Sequence, residues 1–260
     1  MSPQLDHAVV VVPSLAQATR DFGAAGFTVL AGGRHDALPT ENALVCFADG
    51  TYLELLATRD PATRDELRGL RASDGWERHL RGISAVARRF LPCLAGPDGV
   101  ADWALGAASL ASVAAGLRAQ GIAAAGPVAM IRERKDGERV AWELLLPESA
   151  LHPFWIADRT PRERRVPAGA LATTHANRAR GIAVVRVHAP SVPVAALALG
   201  DALDARPALR PDGVSALALG GWRVELAAGE PAGARAVRLA GCAPLPQSVS
   251  GLGVLAAEAG

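Results

Sequence analysis

Lysine is almost absent: Lys135 is the only one in 260 residues, so nearly all the positive charge is carried by arginine. Lys and Arg total 27 against 26 Asp and Glu, a net charge of +1. That balance gives no electrostatic reason to expect nucleic acid or an anionic membrane surface as a partner. Aromatic residues are scarce, with one tyrosine, five tryptophans and five phenylalanines. None forms a stacking platform beside the basic stretch Arg159–Arg165, which therefore reads as a solvated charged face. The three cysteines, Cys46, Cys93 and Cys242, are too far apart for a zinc cluster and too few for a disulfide framework. No stretch of eighteen apolar residues runs free of charge and turn signals, so no membrane-spanning helix is expected. The N-terminus enters a strand pattern at once, without the basic and apolar regions of a signal peptide, and a cytoplasmic location is expected. There is no Walker loop, GxGxxG, GxSxG, CxxC or HExxH motif, so no nucleotide cofactor is expected either.

What is present is an apolar half, enough to bury a sizeable core. Leu5–Val12 is a β-branched run stopped by Pro13. Ser14 then caps a helix in which Leu15, Ala18, Phe22 and Ala25 recur at helical spacing up to Gly26. Phe27–Leu30, Asn42–Phe47 and Thr51–Ala57 follow as strands, the last two joined by the turn Ala48-Asp49-Gly50. This gives a βαβββ unit over residues 1–58. A helical, arginine-rich connection spans 59–97. The pattern returns over 98–158: a strand at Gly99–Gly106, a helix at Leu110–Gln120, strands at Val128–Arg134 and Arg139–Leu146 across an Asp136-Gly137 turn, and a strand at Pro153–Ala157. After a linker, 159–180, the segment 181–260 reads as an α+β extension and a partial third unit. The fold class expected is α+β, with repeated βαβββ modules forming curved mixed sheets around a cup suited to a small ligand.

Several residues can carry chemistry there. His7 lies on the first strand and Glu54 on the fourth, flanked by Tyr52-Leu53 and Leu55-Leu56. A buried charge needs a partner, so the two invite one explanation: half of a divalent metal site, or a hydrogen bond that orders the sheet. Arg34, after Gly32-Gly33, presents a fork for a carboxylate or other anion, and His35 can exchange a proton near neutral pH. Asn42, on the face of Leu44 and Cys46, closes the polar end of the pocket, and Tyr52 shares a face with Glu54. Trp103, Trp142 and Trp155 either line the cup or fill the core. His175, in the polar run Thr173–Asn177, either completes a site or belongs to a structured linker. Cys46 reads as a core residue.

The runs Leu5-Asp6-His7-Ala8-Val9, Gly32-Gly33-Arg34-His35, Thr40-Glu41-Asn42-Ala43-Leu44 and Asp49-Gly50-Thr51-Tyr52-Leu53-Glu54-Leu55 carry a resemblance. They are similar to the glyoxalase-like branch of the vicinal oxygen chelate superfamily, the glyoxalase/bleomycin resistance/dioxygenase fold. Ala101–Leu105, Val140-Ala141-Trp142 and Pro153–Ile156 agree with it. The resemblance implies a metal (Zn, Fe, Ni or Mn) held by a first-strand histidine and a fourth-strand glutamate from each of two modules. His7 and Glu54 match in the first. In the second, Ala101-Asp102-Trp103 and Phe154-Trp155-Ile156 depart from the pattern, and His175 is the residue expected to complete the shell, ahead of Asp102. Glu54 and His35 would then be catalytic, with Arg34, Asn42, Tyr52, Trp103 and Trp155 against the substrate. The function implied is a metal-dependent lyase, isomerase or dioxygenase acting on a small molecule. The alternative is a metal-free binding or drug-sequestering protein; a homodimer is compatible with either.

Overall fold

The computed structural model describes residues 3–133, 137–210 and 212–257. The first module comprises β1 (Gln4–Val11), α1 (Leu15–Ala24), β2 (Leu30–Arg34), β3 (Thr40–Cys46) and β4 (Tyr52–Thr58). The connection forms α2 (Pro61–Arg71), α3 (Trp76–Arg81) and α4 (Ala85–Leu94). A second module repeats the order in β5 (Gly99–Gly106), α5 (Leu110–Ala119), β6 (Ala124–Glu133), β7 (Arg139–Pro147) and β8 (Phe154–Asp158). The short helices α6 (Arg162–Arg165) and α7 (Ala170–Thr173) follow. Then come β9 (Gly181–Ala189), α8 (Val192–Leu203), β10 (Pro207–Leu209), β11 (Ser215–Leu219) and β12 (Trp222–Ala228). The chain continues into β13 (Gly233–Ala240), α9 (Gln247–Ser250) and β14 (Val254–Ala256). Asp136 of the expected turn and Arg134 of the expected strand lie outside the described residues.

Local chemistry explains the first helix. The Ser14 side chain accepts the Gln17 N–H, and Ala18 and Phe22 are its buried stripe. Gly26 ends it at φ +83°, where an added Cβ would come within 2.9 Å of the Asn177 nitrogen.

The strands form two sheets, ordered β2-β3-β4-β1-β5-β8-β7-β6 and β10-β11-β12-β9-β13-β14. In the first, β1 runs parallel to β4 and β5 parallel to β8, while β1 and β5 meet antiparallel. That seam relates the modules by a pseudo-twofold. The second sheet follows the same logic: β9 is parallel to β12, antiparallel to β13, and β13 is parallel to β14. The elements β9 to β12 therefore repeat the βαβββ order, and β10, three residues long, supplies a strand not expected from the sequence. β13, α9 and β14 repeat only the ends of a further unit.

The two faces of the first sheet have different partners. Ala8, Val10 and Val12 pack with α1, α5 and the second sheet in one core cluster. Val9, Val11, Leu56, Ala104 and Ile156 pack on the other side with Val86, Phe90 and Leu94 of α4. Thus α4 covers part of the inner face and leaves a cavity beside it. Among the described residues no helix is long and apolar enough to cross a membrane.

Candidate functional site

The cavity holds about 670 Å³ of empty space, its open mouth included. Leu38, Leu44, Leu56, Phe90, Trp142 and Phe154 form much of its wall. His7, His35, Asn42, Tyr52 and Glu54 also line it, and their contacts place them together at one end. Parallel pairing of β1 and β4 sets His7 opposite Tyr52 and Val9 opposite Glu54. His7 Nδ1 donates to Asp6 Oδ1 at 2.7 Å, and its Nε2 lies 3.5 Å from Glu54 Oε2. The ring stacks on Tyr52 with centroids 4.5 Å apart. Asn42 Nδ2 donates to Glu54 Oε1 at 2.6 Å, while its Oδ1 accepts the Gly33 N–H at 2.8 Å. His35 Nδ1 is 2.9 Å from Thr40 Oγ1, and its Nε2 is 3.7 Å from Glu54 Oε1.

The charges are fixed from behind. Arg165 of α6 donates to both oxygens of Asp6 and to the Tyr52 hydroxyl, and Arg162 pairs with Asp6 as well. Arg165 also donates through Nε and Nη2 to Asp158. Burial alone would raise the carboxyls of Asp6 and Glu54 and lower the His7 imidazole. Arg165 and His7 reverse this for Asp6, which is held well below the usual carboxylate range. Hydrogen bonding and charge from His7, with help from His35 and Asn42, pull Glu54 down to about 2. Asp6 and Glu54 together raise His7. His35 goes the other way, lowered chiefly by its burial. The two carboxylates thus favour the protonated form of His7, while burial favours the neutral form of His35. Burial pushes the Cys46 thiol up to about 11 and Cys93 up to about 12, so neither is a thiolate nucleophile.

Four expected site residues lie elsewhere. His175 accepts the Thr28 N–H at Nδ1 and donates from Nε2 to the Cys46 carbonyl, so both ring nitrogens are committed to backbone and none is left for a metal. Trp103 and Trp155 belong to the core on the opposite face of the sheet, where Trp103 meets Trp222 edge to face at 5.9 Å. Period two requires this, because Phe154 and Ile156 on either side of Trp155 line the cavity. The Arg34 side chain is 74% exposed and points towards Glu41, away from the wall. Arg132 and Arg165 are the arginines that line the cavity. The Arg159–Arg165 stretch is solvated at Arg159, Glu163 and Arg164 as expected, but Arg165 is buried and Arg162 half-buried. Asp6, Phe90, Arg132 and Phe154 went unassigned in the sequence. Asp6 had a signal, a charged residue inside a β-branched strand.

The metal implied by the resemblance can be tested on register. Leu5 faces Leu105 and Val10 faces Val100 across the seam, with one bulge on each strand. The pseudo-twofold therefore exchanges Leu5 with Val100, and two residues on, His7 with Asp102. Glu54 pairs with Val9, and the counterpart of Val9, Ala104, pairs with Phe154. The second pair of ligand positions thus holds Asp102 and Phe154. Arg89 of α4 grips both oxygens of Asp102 at 2.7 and 2.6 Å. A phenyl ring and a neutralised carboxylate do not make the second half of a metal shell, and among the described residues no group of three His, Cys, Asp or Glu side chains is arranged to hold a metal ion. The residues present do not fit the four-ligand site.

A sequence profile of the family described as glyoxalase-like domain matches residues 5–203. No curated protein matches the chain. Among solved structures, a hypothetical protein from Staphylococcus aureus superposes with TM-score 0.71 at 17% identity, over 91% of this chain and 90% of that one. A xylose isomerase-like TIM barrel/4-hydroxyphenylpyruvate dioxygenase fusion protein gives 0.51 at 13%, over 92% of this chain and 36% of that one. The Mn(II)-bound glyoxalase from Novosphingobium aromaticivorans gives 0.50 at 12%, over 92% of this chain and 66% of that one. At these identities the structures speak for the fold, and the profile, which spans most of the sequence, for the family. With its modules paired about a β1–β5 seam, the chain belongs to the glyoxalase-like domain family of the vicinal oxygen chelate superfamily.

Proposed function

We propose that this protein binds a small, largely apolar organic molecule whose polar end hydrogen-bonds to Glu54, and that binding needs no divalent ion. The observation that carries the reading is the occupancy of the second pair of ligand positions by the Arg89–Asp102 ion pair and Phe154. Glu54 suits an acceptor better than a base. A carboxylate held near 2 is far from the operating pH at which a general base is effective, yet it stays ionised for a ligand O–H or N–H. The wall of Leu44, Leu56, Phe90 and Trp142 takes the apolar remainder.

The test begins with elemental analysis of protein purified without an affinity tag or chelator. Aryl and alkyl alcohols, amines and acids are then screened by ligand-observed NMR. We expect no stoichiometric metal, and hits whose affinity is unchanged by EDTA. Glu54→Gln should weaken the hits about ten- to a hundredfold, the loss of one charge-assisted hydrogen bond, and Arg34→Ala should leave them unaltered. Near-stoichiometric metal that disappears in Glu54→Ala would overturn the reading in favour of a metal-dependent enzyme.

A further inference from the structure

The six-stranded sheet has two unlike faces. Val185, Val187, Leu217, Val224 and Leu226 join the main core with Ala195 and Leu199 of α8. Alternation turns Val184, Arg186, Arg223 and Glu225 to the opposite face. At its seam with β13, β9 carries an irregularity between Ile182 and Val184, as β1 carries one between Leu5 and His7. Val184 therefore stands where His7 stands in the first module, and Arg186 where Val9 stands. Glu225 pairs with Arg186 as Glu54 pairs with Val9. The third unit thus has a glutamate at the position that forms the site in the first.

Its surroundings are different. Glu225 is 1% exposed. Arg186 Nη2 donates to its Oε2 at 2.9 Å, while Arg210 Nη1 and Arg223 Nε donate to its Oε1 at 3.1 and 3.0 Å. Arg186 and Arg223 lower the Glu225 carboxyl from its ordinary value, against the upward push of burial. Asp212, 3.3 Å from Arg210 Nη2, is the second acid paired into the group. Three guanidinium cations therefore face two carboxylates. Each guanidinium carries five N–H donors, and these side chains are 33%, 44% and 42% exposed for Arg186, Arg210 and Arg223. Each fork thus keeps part of its surface in reach of a partner in solution. Around them the paired residues are small: Ala216 opposite Glu225, Ala218 opposite Arg223 and Ala236 opposite Arg186. Methyl groups at these positions leave the forks raised above a shallow floor. A buried glutamate needs a cation, but one carboxylate does not need three.

From this arrangement we propose that the face of the second sheet turned away from α8 binds a small molecule carrying two or more oxyanion groups, phosphate or carboxylate, through Arg186, Arg210 and Arg223. A monoanion meets one fork, whereas a molecule with two oxyanion groups spans two forks at once and gains bidentate bonds at each. This site is separate from the cavity of the first sheet and takes ligands of the opposite character, compact and highly charged where the cavity is apolar.

The test is calorimetric titration of the full chain at low salt with sodium pyrophosphate and, in a second arm, with citrate. Arg210→Gln and Arg223→Gln are tested beside the wild type. Both side chains are more than two-fifths exposed, so the variants should keep their fold, which circular dichroism melting verifies. We expect saturable binding of at least one anion, about tenfold weaker in each variant and falling as sodium chloride is added. Binding in the pyrophosphate arm alone assigns a phosphate ligand, and in the citrate arm alone a carboxylate ligand. The proposal is overturned if neither anion binds at millimolar concentration, or if folded Arg210→Gln and Arg223→Gln bind both as the wild type does.

Discussion

Arg89→Ala should cost about 3–5 kcal/mol of folding stability, the range for removing one partner of a buried ion pair. The side chain of Arg89 is 6% exposed and that of Asp102 is 4% exposed. Besides the two bonds to Asp102, Arg89 donates to the carbonyls of Pro147, Ser149 and His152. Alanine would leave a carboxylate inside the fold without its cation and would free three buried or half-buried carbonyls together. It would also release α4 from β5, and with it Val86 and Phe90 of the cavity wall. Urea unfolding of the variant measures the loss. A change below about 1 kcal/mol, the size of a surface salt bridge, would show that the clamp does not hold the helix. The double variant Arg89→Met, Asp102→Leu should recover much of the loss, because an apolar pair of similar volume leaves no buried charge behind.

Asp6→Asn should be nearly as damaging at neutral pH, again about 3–5 kcal/mol, and should flatten the acid limb of the stability curve. Asp6 is the common acceptor of Arg165, Arg162 and His7. Its folded pKa is depressed well below the ordinary aspartate value of 3.8, and that of Glu54 falls from 4.5 to about 2. Depressed carboxyls contribute stability that is present above their unfolded values and is lost as pH falls through the folded ones. The wild type should therefore weaken steadily below about pH 4.5, and Asp6→Asn with a shallower slope. His7 has the opposite sign. Its pKa is raised, so its contribution is complete below the unfolded value of 6.5 and fades as pH climbs through the folded one. Buried His152 and His175 are lowered, and what they contribute above 6.5 is lost as pH falls. Unfolding free energies from pH 2 to 9 for both proteins check the prediction, and parallel acid limbs would refute it.

Much of the cavity was legible in the sequence because it depends on two short-range rules. Side chains alternate along a strand, and the repeated βαβββ order sets which strands are neighbours. These bring His7, Tyr52, Glu54, Asn42 and His35 together without any long-range information. The same alternation would have removed Trp103 and Trp155, had Asp102 and Phe154 been matched to His7 and Glu54. Arg165 and Arg89 were not legible. Arg165 reaches Asp6 across 159 residues and Arg89 reaches Asp102 from a different element, and neither contact leaves a periodicity. Arg34 was misplaced for a related reason: its glycine pair does bring the backbone close, but to Asn42 and Arg132, whose atoms occupy the space that Cβ atoms on Gly32 and Gly33 would need. The strand β10, only three residues, is too short for any pattern to declare itself.

The β1–β5 seam also has a consequence for how the chain is made. Gln4 pairs with Gly106 and Val11 with Gly99, so β1 becomes an interior strand whose second neighbour is still untranslated when β4 is complete. At roughly 5–20 residues per second, one edge of an apolar β-branched strand waits on the order of several seconds for its partner. Throughout that interval the nascent first module presents an unpaired backbone edge, the kind of surface that recruits strands from other chains. A holdase that covers short extended apolar segments would find its substrate in this interval rather than in the finished molecule.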